Sequence, residues 1–457
     1  MSVIDWPTAS LSVYPKMRTA PLFQVRMMLS NVLLTRSARI RQHALLALSA
    51  VVILLLVCSL PPIRGPWLFP SLERPVVHQV EVSKYRLRIS YFRERVPPPV
   101  ATGGSLLVLD DRVLLMAGDG WFYELQFSGD GARLEVRPLR QRVPLNHEAF
   151  ALAHPSMSDF LLGVFRASDM LLLDSPENGK KDLLASHHYF HAEKDCYSVR
   201  VSALTTDWEE FLSGAGPARW RTVYEAQPCL PLRTDGKLRF TGHQTGGALV
   251  QAGAGKVLLA LGDGGFDGVQ SLHAVSQDTL SDFGKILEIV PQSGKSRIVA
   301  SGLRSPADLH VDTSGRVWLT EHGPRGGDEL NRFRFGGDYG WPQYTLGTQY
   351  NGLHWPPQVD ADAKKAFEPP AFAWIPSIGI SALVGLSGPE FEHWRGDLIV
   401  SSLVDRALYR VQLAGDTPIL AERIPVYERV RDVVVDSRGR LVFWTDRAVI
   451  GRVEVAR

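Results

Sequence analysis

The sequence has little cysteine and almost no excess of charge of either sign. It contains 3 cysteines in 457 residues, and its 50 lysines and arginines nearly balance 48 aspartates and glutamates, for a formal net charge of +2. Such a balance produces no large field of one sign, which excludes the electrostatic footprint of a nucleic-acid-binding protein. The absence of a Cys-x-x-Cys-His motif excludes an internal domain with covalently attached haem. With 45% hydrophobic and 21% charged residues, the chain has enough apolar side chains to bury a large core.

One long hydrophobic run is present, over residues 44–60, and it contains no charged residue. Its length lies at the short end of a membrane-spanning helix, about 17–25 residues, and exceeds the core of a signal peptide, about 7–15 residues. Lysines and arginines precede the run and Asp5 is the only acid there, so the positive-inside rule predicts a cytoplasmic N-terminus. We therefore expect an uncleaved, single-pass inner-membrane anchor and a periplasmic domain; cleavage as a signal peptide is the alternative. The expected segments are a basic tail (1–43), the anchor (44–63), a linker (64–80) and the exported domain (81–457).

Two of the three cysteines lie in the exported part. Cys58 falls in the hydrophobic run, which leaves Cys196 and Cys229 as the pair that an oxidising compartment would allow to bridge. Two separate buried thiols are the alternative, because the sequence alone does not place the two Cα atoms.

Two pairs of segments echo each other along the chain. Residues 103–120 and 246–264 both begin with Gly-Gly and end with Gly-Asp-Gly around short apolar runs. Residues 311–317 and 435–441 both read as strand, tight turn and strand, with Asp and Gly suited to the turn. After residue 80 no long stretch has a 3.6-residue apolar period, so these repeats predict an all-β domain.

The length of this domain predicts a β-propeller. At about 40–50 residues per blade, residues 81–457 provide for about six to eight blades, and a propeller leaves no long open sheet edges. Sandwiches or paired barrels are the alternative.

Residues 321–331 and 337–342, which read EHGPRGGDELN and GDYGWP, resemble the signature of the glucose/sorbosone dehydrogenase family. The resemblance extends over about residues 195–457. It implies a six-bladed propeller that uses pyrroloquinoline quinone (PQQ) and Ca²⁺ to take a hydride from the anomeric carbon of an aldose. The electrons would pass to a separate acceptor in the cell envelope.

The resemblance also assigns roles to individual residues. His243 matches the base that removes the hydroxyl proton, for which a near-neutral intrinsic pKa is suitable. Arg304 matches an arginine that stabilises negative charge developing on the quinone oxygens. Gln244 and Ser305, beside these two residues, are expected to contact the cofactor.

Two further pairs complete the expected site. Arg429 and Arg431, at i and i+2 of a strand, should share a face and clamp the quinone carboxylates. The backbone carbonyls of Gly323 and Pro324 match the positions that bind Ca²⁺ in the family.

Four positions depart from the family pattern. Ser305 replaces an asparagine, Val404 a lysine, Gly242 an acid and Ala248 an arginine. A second hypothesis is therefore a catalytically inactive propeller that binds a glycan or an envelope protein. A third is a Ca²⁺-dependent lactone hydrolase, which would need several carboxylates converging on the channel.

Three histidines close together, His187, His188 and His191, do not predict a metal site. In a strand, His187 and His188 point to opposite faces, so we expect packing or hydrogen bonds for them.

Overall fold

The computed structural model describes residues 75–456, apart from 130, 157–158, 178, 215–217, 235, 270, 272 and 356–366. The predicted tail, the anchor and most of the linker lie outside these residues. Within the described ranges, no helix is long and apolar enough to cross a membrane. Strand β1 begins at Val76, so residues 76–80 belong to the first strand and not to the linker.

Six sheets form the blades of a β-propeller, which confirms the predicted six-bladed all-β fold. The first two strands, β1 (Val76–Val82) and β2 (Tyr85–Phe92), belong to the last blade. Blade 1 contains β3 (Gly104–Leu109), β4 (Arg112–Ala117), β5 (Trp121–Phe127) and β6 (Leu134–Arg142). Blade 2 contains β7 (Ala167–Asp174), β8 (Lys181–His191), β9 (Cys196–Thr206), β10 (Arg221–Glu225) and β11 (Leu230–Pro231).

The remaining blades follow in chain order. A small hairpin, β12 (Arg233–Thr234) with β13 (Lys237–Leu238), precedes blade 3. Blade 3 contains β14 (Gly246–Gln251), β15 (Val257–Leu261), β16 (Lys285–Val290), β17 (Lys295–Ser301) and β21 (Gly337–Asp338). Blade 4 contains β18 (Pro306–Val311), β19 (Val317–Glu321), β20 (Asp328–Arg332) and β22 (Phe372–Trp374). Blade 5 contains β23 (Ile380–Gly385), β24 (Leu398–Ser402), β25 (Ala407–Ala414) and β26 (Thr417–Pro425).

Blade 6 closes the ring by joining the two ends of the described chain. It combines β27 (Val430–Val435), β28 (Leu441–Thr445) and β29 (Ile450–Val455) with β2 and β1. Strand β2 pairs antiparallel with β29, with Leu87 opposite Val455, and the apolar side chains of both strands enter one core shared with blade 5. This pairing ties the N-terminal strands to the C-terminal ones and removes an open edge.

Short helices occupy the connections between strands. They are α1 (His147–Ala153), α2 (Asp159–Leu162) and α3 (Trp208–Ser213), with 3₁₀ turns at Val275–Gln277 and Glu392–Trp394.

Both repeats seen in the sequence are confirmed as supersecondary units. Residues 103–120 and 246–264 contain the inner hairpins of blades 1 and 3. In the second repeat, Asp312 and Asp436 begin the turns of the inner hairpins of blades 4 and 6. Each aspartate accepts the backbone N–H two residues further on, at 2.8 and 2.9 Å, as an Asx turn requires.

The predicted disulfide between Cys196 and Cys229 is present. It links the first residue of β9 to the segment that precedes β11, within blade 2.

The innermost strands β3, β7, β14, β18, β23 and β27 contact one another in a ring around the propeller axis. In blades 2, 4 and 6, this strand carries an aspartate that accepts a backbone N–H from the innermost strand of the next blade. The three bonds run from Leu249 to Asp169 (2.7 Å), from Leu383 to Asp308 (2.7 Å) and from Leu106 to Asp432 (2.5 Å). Burial raises the pKa of all three carboxyls, to about 7 for Asp432. These bonds join neighbouring blades at the axis.

The hydrogen bonds to Asp308 predict a large effect of substitution. Asp308→Ala leaves the N–H groups of Leu383 and Leu309 without their acceptor, and each unsatisfied group costs about 1–3 kcal/mol. We expect urea denaturation to show that the free energy of unfolding falls by about 2–4 kcal/mol. The control is Asp174→Ala, which removes an exposed ion pair with Lys181. Equal losses in the two variants would contradict a structural role for Asp308.

Candidate functional site

A cavity of about 330 Å³ lies at the propeller axis and is lined by residues from the innermost strands of all six blades. Six of the eight predicted site residues line it, namely His243, Gln244, Arg304, Ser305, Arg429 and Arg431. The innermost strands of blades 2 to 6 each begin with a register irregularity. A bulge of this kind redirects a side chain, and the one between Val430 and Asp432 contains Arg431.

Arg304 is held rigidly at the start of blade 4, with 4% of its surface exposed. Its Nη1 donates to the carbonyls of His322 and Gly323, both at 2.8 Å, and its backbone N–H donates to Glu321 at 2.6 Å. The guanidinium also lies 5.3 Å from the ring centroid of Trp341, within the range of a cation–π contact. The side chain is thus fixed before any ligand binds.

Gln244 and Asp263 complete the support of this arginine. With its amide oriented to satisfy both partners, Gln244 accepts from Nη2 of Arg304 at 2.6 Å and donates to Asp263 at 3.0 Å. Burial raises the pKa of Asp263 to about 7, although Arg304 opposes this shift. Trp341 Nε1 donates to the same carboxylate at 2.7 Å. No sequence motif pointed to Asp263, although it lies in the second Gly-Asp-Gly of the repeat.

Arg429 and Arg431 contact the same carboxylate, that of Asp446. Arg431 donates to Oδ1 from Nε and Nη2, at 2.9 and 2.7 Å, and Arg429 donates to Oδ2 from Nε at 3.1 Å. Burial opposes ionisation of Asp446, but the two arginines lower its pKa below the usual value. Asp446 therefore carries one negative charge against two positive ones and fixes both arginines. It was missed because it lies beyond the matched Arg-x-Arg segment.

His243 lies in the loop before β14, exposed at the edge of the cavity. Partial burial and the positive charges of Arg166 and Arg431 lower the pKa of its imidazole to about 4. At neutral pH the ring is therefore uncharged.

Residues 232–452 match the family model for glucose / sorbosone dehydrogenase. Over this segment, which is just under half of the chain, the protein is similar to the glucose/sorbosone dehydrogenase family. The aldose sugar dehydrogenase of Escherichia coli strain K12 is 31% identical over 245 residues, which cover 50% of this chain and 62% of the relative. The chain thus spans less than two thirds of that relative's length.

Two solved structures show the same fold. The apo form of the soluble aldose sugar dehydrogenase from Escherichia coli superposes with a TM-score of 0.62 at 23% identity, covering 80% of this chain and 99% of that one. The PQQ-bound aldose sugar dehydrogenase from Streptomyces coelicolor superposes with a TM-score of 0.55 at 19% identity, covering 80% and 98%.

Two of the four departures from the family pattern have a packing explanation. Gly242 has φ +62°, and a Cβ there would lie 2.4 Å from the side chain of Val164, so the local backbone excludes an acid. Ala248 is 2% exposed and belongs to a core cluster shared by blades 3 and 4, so it faces away from the site. Ser305 and Val404 do line the cavity, and Val404 supplies no charge there.

The expected Ca²⁺ ligands, Gly323 and Pro324, do not line the cavity. The carbonyl of Gly323 accepts from the Arg304 guanidinium, which places a permanent positive charge beside it. Asp328, the nearest carboxylate in this loop, accepts from His322 and from four backbone N–H groups. A Ca²⁺ site takes six to eight oxygen ligands, whereas here the Gly323 carbonyl and both Asp328 carboxylate oxygens already accept hydrogen bonds. The arrangement does not fit the predicted Ca²⁺ site.

Two of the three clustered histidines make the expected hydrogen bonds. His187 and His188 are fully buried, with Nε2 of His187 2.9 Å from Ser202 and Nε2 of His188 2.8 Å from Thr245. Among the described residues, no group of three or more His, Cys, Asp or Glu could hold a metal ion.

The positive charge beside His243 makes a testable contribution to its pKa. Arg431→Gln removes a cation that disfavours the imidazolium, so the pKa of His243 should rise from about 4 toward the ordinary value of 6.5. The measurement is an NMR titration of ring-labelled histidine, with His243→Asn used to assign the resonance. Arg86→Gln, at an exposed residue of β2, is the control. An unchanged pKa in Arg431→Gln would contradict the electrostatic coupling.

Proposed function

We propose that this protein is a PQQ-dependent sugar dehydrogenase that oxidises an aldose at its anomeric carbon. The observation that carries the proposal is the placement of three arginines, Arg304, Arg429 and Arg431, around one axial cavity beside an uncharged histidine, His243. A planar quinone with several carboxylates is the kind of ligand that such a cavity would hold. The match of residues 232–452 to the family model and the PQQ-bound neighbour of the same fold support this choice.

The cofactor, when bound, supplies a hydride acceptor. The protein has to hold the sugar against it and remove the proton of the anomeric hydroxyl. His243 suits that second task because it is uncharged at neutral pH and exposed to an incoming ligand. His243 would take the hydroxyl proton, and together with departure of the C1 hydride this would leave the anomeric carbon as the carbonyl of a lactone.

The arginines bind and stabilise negative charge. Asp446 holds Arg429 and Arg431 in place, yet it neutralises only one of their two charges, so a positive charge remains for a ligand carboxylate. Arg304 is held by carbonyls and by Gln244, so it needs little reorganisation to stabilise charge on a ligand oxygen. We propose no step for Ca²⁺, because the loop at Gly323 does not fit it. The electrons would leave to a separate acceptor.

The test separates cofactor binding from proton transfer. The full-length protein is titrated with PQQ by calorimetry, and turnover of aldoses is followed with an artificial dye acceptor. We expect His243→Asn to bind PQQ within about threefold of the wild type while kcat falls about 10²–10⁴-fold, the usual contribution of a general base. His78→Asn, on the outermost strand β1, is the matched control and should leave both unchanged.

Two other outcomes would revise the proposal. If the wild type does not bind PQQ, the protein is instead a propeller that binds a glycan or an envelope protein. If EDTA weakens PQQ binding more than tenfold and Ca²⁺ restores it, Arg304 must release the Gly323 carbonyl to a metal ion.

We also propose that residues 44–60 anchor the propeller to the inner membrane, with the domain in the periplasm. The uncharged hydrophobic run and the basic segment before it support the anchor, and the disulfide is compatible with an oxidising compartment. After cell fractionation, the protein should remain in the membrane pellet through an alkaline carbonate wash, and deletion of residues 1–63 should release it. Recovery of the intact full-length chain in the soluble fraction would contradict the anchor.

A further inference from the structure

We infer that Arg166, from blade 2, is a further cofactor-binding residue whose guanidinium binds a carboxylate of the quinone. The inference rests on the proposed function. Arg166 lies outside residues 232–452, which match the family model, and none of the motifs in the sequence pointed to it. It directly precedes β7 and lines the axial cavity.

The backbone of Arg166 is fixed by a buried histidine. The N–H of Arg166 donates to Nδ1 of His188 at 3.2 Å, and its carbonyl accepts from the N–H of His188 at 2.9 Å. Nε2 of the same ring is 2.8 Å from Oγ1 of Thr245, in the loop between His243 and β14. The buried histidine thus connects the wall that carries Arg166 to the loop that carries the expected base.

The side chain of Arg166 lies against blade 1, which presents glycines to the cavity. A Cβ on Gly103 would lie 2.7 Å from Cδ of Arg166 and 2.9 Å from the carbonyl of Ala167. Only a glycine at position 103 therefore leaves room for the Arg166 side chain. Gly103 and Gly104 line the cavity between Arg166 on blade 2 and Arg431 on blade 6. The two guanidiniums therefore flank a wall without side chains.

The charge of Arg166 is incompletely compensated. Its Nη1 is buried and has no hydrogen-bond partner among the described residues. Burial and the charge of Arg431 lower the pKa of Arg166 to about 9, although Asp446 opposes this. Asp446 is already bonded to Arg429 and Arg431. A buried donor without an acceptor is costly, and a ligand carboxylate between Arg166 and Arg431 would satisfy it.

Arg166 also offers a replacement for the charge of the family lysine, whose position Val404 occupies. The side chain of Val404 lines the cavity from blade 5 and carries no charge. Blades 2 and 5 are opposite in a ring of six, so Arg166 restores the number of cations around the cavity from the other wall. The cofactor carboxylates would then be held mainly by blades 2 and 6.

The test compares Arg166→Gln, Arg166→Lys and the control Arg86→Gln in the full-length protein. Calorimetry with PQQ should show that Arg166→Gln weakens binding at least about tenfold, since a hydrogen bond between charged groups is lost. Arg166→Lys should retain part of the affinity, because it keeps the charge and loses the planar fork. Arg86→Gln should match the wild type.

An NMR titration gives a readout that does not require the cofactor. Arg166→Gln should raise the pKa of His243 from about 4.

The outcomes distinguish this inference from the proposed function. If the wild type and Arg166→Gln bind PQQ equally, the role of Arg166 is overturned and the dehydrogenase proposal stands. If the wild type does not bind PQQ, the proposed function fails, and pyridine-2,6-dicarboxylate is titrated instead. Binding of that dicarboxylate to the wild type and not to Arg166→Gln would retain Arg166 as a carboxylate-binding residue. Equal or absent binding of the dicarboxylate would overturn the role of Arg166.

If Arg166→Gln does not fold, Arg166→Lys is compared with Arg86→Gln. Equal PQQ affinities of these two variants would overturn the role of Arg166.

Discussion

The hydrogen bonds that join neighbouring blades around the propeller axis are the interactions on which the site depends. Asp169, Asp308 and Asp432 each bind a backbone N–H of the next blade, and this fixes where the innermost strands begin. In each of these three blades an arginine lies three or four residues before the aspartate, namely Arg166, Arg304 and Arg429. The arginines and the aspartates line the same axial cavity. The segments that join the blades therefore also bring positive charge to the cavity.

The charge distribution of the cavity is arranged for an anionic ligand. Four guanidiniums line it, together with three carboxyls whose pKa is raised by burial, those of Asp169, Asp308 and Asp432. Asp446 is bonded to only two of the guanidiniums. The supporting groups, Gln244 and the carbonyls of His322 and Gly323, hold Arg304 without neutralising it. Burial, together with the same positive charges, lowers the pKa of His243 to about 4. A carboxylate bound beside these arginines would offset part of their effect on the imidazole.

The departures from the family pattern fall into two physical classes. At Gly242 and Ala248 the backbone and the core leave no room for a charged side chain, so these positions say little about cofactor binding. Ser305 and Val404 line the cavity, where the lost amide and ammonium would have faced the ligand. Only these two losses need compensation. The guanidinium of Arg166 supplies a positive charge in place of the family lysine that Val404 replaces.

The sequence by itself determined the fold class and the local motifs. Short apolar runs, glycine-rich turns and two internal repeats predicted an all-β propeller, because strand periodicity and turn chemistry are local properties. The family motif fixed the count at six blades and identified His243, Arg304, Arg429 and Arg431, all within the matched region. Tertiary structure alone decided the rest of the site. The end of a hairpin brings Asp446 to Arg431, and Gln244 connects Asp263 to Arg304. Arg304 donates a hydrogen bond to the Gly323 carbonyl, which was expected to bind Ca²⁺. Arg166 lies in blade 2, outside the matched motif. A propeller brings loops from distant parts of the chain to one axis, so which charges meet there depends on the closed ring and cannot be read from spacing.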